Sequence, residues 1–526
     1  MSIKEIFLVH HTHMDVGYTD LPDEVLDQHL CYLDHVLDLC ERNASAAPEE
    51  RFHWTCESAL LAQDYLRCRP AAQRRRLLEA LRAGWIELQA CLTQPLTELA
   101  SAEEMIRCVG YAAELARREG FPVEAATVDD IGGYAGRLPT VLQGWGVRYL
   151  VAGVGGFQVH LPWADLPYLF YLESKDGART LVWNLGHERT ERPQDAPTLN
   201  AVYGIVYPHL IPPYRAELTG TGVPGGGRAR DRYAALEARL ERDGYPYAEM
   251  MLQYATDNGG PDAHLVDLIR RMNATGELPA IRLTTPRHFF HLMEERYRHR
   301  IPVVRGVITD PWIARANPVP GPLKSFRQAQ RALASAEALQ AVEREPSPDP
   351  SEPGRVGEAH ANLQLYADHT YGLSEWGWEK SLDPATGSRG AAYDRYRRSW
   401  AYKRGYADSA RWEALRLERA ARQRLGSTVR SADPFLLVWN TGAVPQAEPV
   451  EVYTGRDGPE LAAVTDAETG EPVPFQRLGG RRYLLLPPVV PAMGCRRLIP
   501  AFGRPADTQA PAAEGALESA SLRLAY

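Results

Sequence analysis

The stretch Ile6-Phe7-Leu8-Val9-His10-His11-Thr12-His13-Met14-Asp15-Val16-Gly17-Tyr18-Thr19 decides how this chain is read. Four consecutive apolar residues make a short buried strand. Three histidines and an aspartate then fall within six positions, where the loops of an α/β enzyme converge over the C-terminal ends of its strands. A lone His-x-Asp reads as a polar loop that caps a strand. This density of donors, with Gly17 allowing a tight turn, marks His13 and Asp15 as metal ligands.

Outward from that strand, apolar β-type runs alternate with helical patterns to about residue 300. Six further strands are expected at Phe52 to Cys56, Trp85 to Ala90, Ala125 to Val128, Tyr149 to Ala152, Thr180 to Leu185 and Met250 to Tyr254. Between the first two strands, Leu26, Leu30, Leu33, Leu37 and Cys40 recur at helical spacing, which makes Cys40 a core residue and leaves His29 and His35 off the stripe. Strands alternating with helices imply a mainly parallel sheet with right-handed crossovers, open or closed. The favoured fold class is α/β, a distorted seven-stranded β/α barrel.

After Pro302 the pattern changes. Leu323 to Glu345, a stretch leading to Asp368, and about 391 to 425 read as a three-helix bundle. In the last of these, Tyr393, Tyr396, Trp400, Ala407, Ala414, Leu417 and Ala421 lie near one face, which reads as bundle core. The proline-rich segment Arg344 to Gly354 is expected as loop. From Pro434 onward, apolar runs divided by Gly and Pro predict a small antiparallel β domain. The expected domains are 1–300 catalytic, 301–430 helical, 431–505 small β, and 506–526 the start of a truncated or missing β domain.

Composition narrows the function. With 59 basic and 67 acidic residues the net charge is -8, which argues against a nucleic-acid partner. Seven cysteines without a C-x-x-C pair indicate neither a disulfide framework nor a thiolate zinc site, and point to a reducing compartment. No stretch reaches membrane-spanning length and no leader is evident, so a cytoplasmic location is expected.

Three later places add acid–base or ligand groups. Ala125-Ala126-Thr127-Val128-Asp129-Asp130-Ile131-Gly132-Gly133 is a strand running into carboxylates, so Asp130 can face the same mouth as Asp15. Leu252-Gln253-Tyr254-Ala255-Thr256-Asp257-Asn258-Gly259-Gly260-Pro261-Asp262 repeats the pattern. Tyr366-Ala367-Asp368-His369-Thr370-Tyr371-Gly372 carries a histidine in the helical region.

Together these pieces resemble glycoside hydrolase family 38, the zinc-dependent α-mannosidases. The family's His-x-His-x-Asp-x-Gly-aromatic motif is matched by His11, His13, Asp15, Gly17 and Tyr18; Asp130, Gly133 and Pro139 keep the spacing of its nucleophile segment; His369 stands for its later zinc histidine. The resemblance implies zinc held by His13, Asp15, Asp130 and His369, with His369 supplied by the helical domain. It further implies Asp130 as nucleophile of a retaining mechanism and Asp257 as acid and base, with Asp262 in reserve. Tyr18, in place of the usual Trp, offers an apolar platform for a sugar. Two motifs depart from the family: Ile131-Gly132-Gly133-Tyr134 replaces Pro-Phe-Gly-His, and Asp368-His369-Thr370 replaces His-His-Asp. The implied substrate is an α-mannoside or related glycoside.

Two other functions compete. His11-Thr12-His13 after a first strand also resembles the His-x-His of metal-dependent amidohydrolases, although His288, His291 and His299 fall in a helical, charged stretch rather than at strand ends. A non-catalytic carbohydrate-binding relative that keeps the metal site is the second.

Overall fold

The computed structural model describes residues 3–131, 133–153, 166–185, 211–219, 228–309, 319–345, 347–373, 390–503, 516–518 and 523–525. The chain divides into two compact units, Met1–Gln328 with Gly357–Arg411, and Ala329–Val356 with Trp412–Tyr526.

In the first unit the strands are β1 (Glu5–His10), β2 (Trp54–Cys56), β3 (Ile86–Leu88), β4 (Ala125–Val128), β5 (Gly133–Tyr134), β6 (Tyr149–Ala152), β7 (Leu169–Glu173), β8 (Arg179–Asn184), β9 (Glu249–Tyr254), β10 (Ala280–Thr284), β11 (Val303–Arg305) and β12 (Ile308–Thr309). All seven expected strands are present. Ile6, Phe7, Leu8 and Val9 are buried, as a central strand covered on both faces requires.

The seven-stranded barrel is replaced by separate hydrogen-bonded sheets among the described residues: β10-β1-β9, β2-β3, β11-β7-β8-β6-β4 and β12-β5. The reason lies at β1, whose two edges are taken by β9 and β10 in parallel register, so β2 has no edge of β1 to pair with. Among the described residues the seven expected strands form no closed hydrogen-bonded ring. β10, unanticipated from the sequence, takes the place at that edge. β7 also runs antiparallel to β8, which makes the larger sheet mixed. The architecture is therefore a mixed α/β fold with several sheets.

The helix Pro22–Arg42 packs with Leu30, Leu33, Leu37 and Cys40 buried. Burial pushes the Cys40 thiol up to about 12, as for a core thiol. His29 is buried too, against expectation, because it flanks the apolar stripe where the loop after β9 reaches over the helix. In the helix Gly390–Ser427, Ala407, Ala414, Leu417 and Ala421 are buried, whereas Tyr393, in the first turn, is exposed. The proline-rich segment is not loop throughout: a helix begins at Glu352 with Pro353 in its first turn, where a missing N–H costs nothing, and runs to Ala367.

The second unit carries two three-stranded antiparallel sheets. One pairs Leu436–Asn440 and Leu461–Asp466 with Gly494–Phe502; the other pairs Val450–Tyr453 and Phe475–Gly479 with Arg482–Leu485. Leu461, Val464, Tyr483, Leu485 and Leu498 form their core. Leu339, Ala421 and Leu425 of the helices pack with Trp439. No helix among the described residues is long and apolar enough to cross a membrane.

Candidate active site

The pairing of β1 with β9 does not stop where the strands stop. His11 and His13 donate their main-chain N–H groups to the carbonyls of Tyr254 and Thr256, both at 3.2 Å, and Asn258 N–H returns to His13 O at 2.8 Å. The two loops therefore leave the sheet as one ribbon, which sets Asp257 beside His13.

His369 arrives from elsewhere in the first unit. Asp368 follows the helix Glu352–Ala367, and His369 N–H donates to Gln94 O at 2.9 Å while Gln94 N–H donates to the Asp368 carboxylate at 3.2 Å. Leu96 N–H bonds Ala367 O at 2.8 Å. Lys403, buried below, donates to Leu365 O at 3.0 Å and Asp368 O at 2.7 Å, closing the carbonyl end of that helix. Burial lowers this lysine to about 8.

One atom each of His13, Asp15, Asp130 and His369 lies within 4.8 Å of the others. The two Nε2 atoms are 3.2 Å apart, and His369 Nε2 is 2.9 Å from Asp15 Oδ1 and 3.8 Å from Asp130 Oδ2. Behind the cluster, His13 Nδ1 faces Asp129 Oδ1 at 2.8 Å and Glu57 Oε1 at 3.1 Å. His369 Nδ1 lies 3.8 Å from the Asp368 carboxylate. Each imidazole thus turns Nδ1 to carboxylates and Nε2 to a shared point, the orientation in which carboxylates hold metal-ligating histidines.

The electrostatics fit the same reading. Burial alone would lower His369, but the adjacent carboxylates of Asp15 and Asp368 raise it to about 10. Asp368, which burial would raise, is held at about 2 chiefly by His369 and by Lys403. Burial raises the Asp130 carboxyl. Burial and the neighbouring Asp15 push Asp257 up to about 7. In their neutral forms the two imidazoles, with two carboxylates, supply the donors and the charge that a divalent zinc ion requires. The residues present fit that metal.

The remaining expected residues fall as follows. His11 stands behind the cluster, its Nε2 at 2.6 Å from Gln253 Oε1. Tyr18, with φ 62°, is 38 % exposed on the same loop. Asp262 is committed to Arg215 and to the Tyr254 hydroxyl, the latter at 2.8 Å. His291 pairs with Glu124 at 2.8 Å and His288 Nδ1 lies 3.0 Å from Thr284 Oγ1, so neither joins the cluster.

Sequence reasoning missed Glu57, Asp129, Gln94 and Asn258 as parts of the site. A signal existed for two of them: Glu57 directly follows β2 and Asp129 directly follows β4. Applying the strand-end rule to every strand would have found both.

The sequence model described as the glycosyl hydrolases family 38 N-terminal domain matches residues 4–307, a range that holds His13, Asp15, Asp130 and Asp257 but not His369. Among solved structures, an alpha-mannosidase from Enterococcus faecalis V583 is similar with a TM-score of 0.60 at 17% identity, covering 95% of this chain and 55% of that one. A protein in the glycosyl hydrolase family 38 from Enterococcus faecalis gives 0.54 at 16%, covering 96% and 53%. This chain spans about half the length of each, and at these identities the likeness is one of fold. No curated protein matches it.

Proposed function

Because the chain belongs to glycosyl hydrolase family 38, we propose that it is a retaining α-mannosidase with zinc on His13, Asp15, Asp130 and His369. Asp130 is the nucleophile and Asp257 the acid and base. The observation that carries this reading is the convergence of those four donors beside the Asp257 loop.

The four donors differ in exposure. His13, Asp15 and His369 are buried, whereas the Asp130 side chain is 23 % exposed and is the member an incoming sugar can touch. Its φ of 50° is a left-handed backbone, a strain of about 1–2 kcal/mol that is characteristic of functional positions. Asp129, next in the chain, turns the opposite way and holds His13, so the adjacent carboxylates divide two tasks. When bound, zinc supplies Lewis acidity toward adjacent sugar hydroxyls.

The chain's own groups then perform the displacement. Asp130 attacks the anomeric carbon while the glycosidic C–O bond breaks and Asp257 gives its proton to the leaving oxygen. In the second half, Asp257 takes a proton from water as that water displaces Asp130. A carboxyl titrating near neutrality suits both duties, and the commitment of Asp262 to Arg215 leaves Asp257 as the better choice. Tyr18 offers its ring to one face of the sugar.

Proton NMR of the fresh product, read before mutarotation, tests the proposal on the zinc-loaded chain. An aryl α-mannoside should release the α-anomer first. A first product of inverted configuration would rule out the covalent route, and a chain that binds zinc but turns over no mannoside would remove the activity.

A further inference from the structure

Asn258 adjoins Asp257, and its side chain reaches across to the metal-ligand loop. Its Oδ1 accepts from Asp15 N–H at 3.2 Å and lies 2.8 Å from His29 Nε2; its Nδ2 donates to Gly17 O at 3.2 Å and to Thr19 Oγ1 at 2.7 Å. The orientation of this amide follows from chemistry: Asp15 N–H can only donate and Gly17 O can only accept, so oxygen faces the first and nitrogen the second. Asn258 is 5 % exposed, and all four ordinary bonds of its side chain are made.

Its backbone is equally constrained. Asn258 has φ 50°, a left-handed conformation that asparagine tolerates better than most residues. The turn then closes with Gly259 N–H on Thr256 O at 3.3 Å, and a Cβ at Gly259 would lie 1.8 Å from Thr256 Oγ1.

From this geometry we propose that Asn258 is a positioning residue that ties two catalytic loops into one body. Its side chain holds the Asp15–Thr19 turn against the loop of Asp257, so the metal ligand Asp15 and the acid–base Asp257 keep fixed places relative to each other. The inference rests on the roles given above to Asp15 and Asp257. It identifies what sets the distance between them.

The alternative is that Asn258 serves only to make the left-handed turn. Glycine separates the two, because Asn258→Gly keeps the backbone and removes all four side-chain bonds, while Asn258→Ala also strains the backbone. Zinc affinity, measured by chelator competition, should fall about 10–100-fold in Asn258→Gly, the usual effect of losing a group that orients a ligand. Hydrogen exchange should lose protection at the Asp15 amide and across both segments, 13–19 and 254–260. Thr19→Val, which removes one of the four partners, should show a smaller loss at the same two segments. Asn258→Gly with wild-type zinc affinity and wild-type protection would overturn the proposal. If the unaltered chain binds no zinc, the mannosidase reading fails separately, and exchange in the two segments still decides the role of Asn258.

Discussion

The Nε2 atoms of His13 and His369 lie 3.2 Å apart although 356 residues separate them in the chain. What joins them is backbone: His13 is fixed by the ribbon with Thr256, and His369 by the Gln94 carbonyl. Two imidazoles facing each other so closely, beside the carboxylates of Asp15 and Asp130, form the donor set proposed for zinc.

Replacing His369 by alanine should therefore strip zinc from purified protein, with content read by elemental analysis. It should also remove the stabilisation that bound metal confers, about 3–4 kcal/mol at zinc concentrations of 100–1,000 times Kd. Undiminished zinc in this variant would exclude His369 as a ligand.

Glu57 tests the support behind the metal. Its Oε1 faces His13 Nδ1 and its Oε2 accepts from Met14 N–H at 2.7 Å, so Glu57→Gln should disturb the orientation of the ring without removing a ligand. Zinc affinity should drop about 10–100-fold while its stoichiometry at saturation stays the same. Chelator competition measures the first and titration the second.

Asp257→Ala separates the acid from the nucleophile. Natural-type mannosides, which need a proton on the leaving oxygen, should slow about 10²–10⁴-fold, whereas substrates with good leaving groups should be affected far less in the first step. Equal loss on both substrates would take the acid role away from this residue.

For Asp130, trapping is the direct measurement. A fluorosugar that stalls hydrolysis of the covalent intermediate should label Asp130, as mass spectrometry of the digested protein would reveal, and Asp130→Asn should abolish both labelling and turnover. A label on Asp257 would reverse the assignment.

His10 predicts an acid limit for the fold. Its Nδ1–H donates to Tyr254 O at 2.7 Å and its Nε2 accepts from Asp262 N–H at 2.9 Å, so both nitrogens are used in the neutral form. Burial holds its pKa at about 4, below the usual 6.5. The unfolded chain therefore binds this proton more readily than the folded one. The contribution is complete above about pH 6.5 and is lost as the pH falls toward 4, up to about 3 kcal/mol. Denaturant melts at pH 7 and pH 5 should show the loss, and His10→Gln should reduce the difference.

The sequence by itself was enough for whatever depends on neighbours along the chain. The apolar run Ile6 to Val9 read as a buried strand, and the donors packed behind it marked His13 and Asp15 as candidate ligands. The strand end offered Asp130 as a candidate, but its role, and any role for His369, came through resemblance, since a single carboxylate after a strand or a histidine after a helix carries little signal alone. Tertiary structure decided the rest. Whether the strands closed into a ring depended on which partners took the edges of β1, a competition settled by β9 and β10 some 240 residues away or more. Which of Asp129 and Asp130 faced the cluster turned on one left-handed backbone angle, and the places of Glu57, Gln94 and Asn258 turned on hydrogen bonds to loops remote in sequence. Periodicity reports which face of an element is apolar; it holds no information about which distant loop will satisfy a buried polar group, and the site is assembled from such groups.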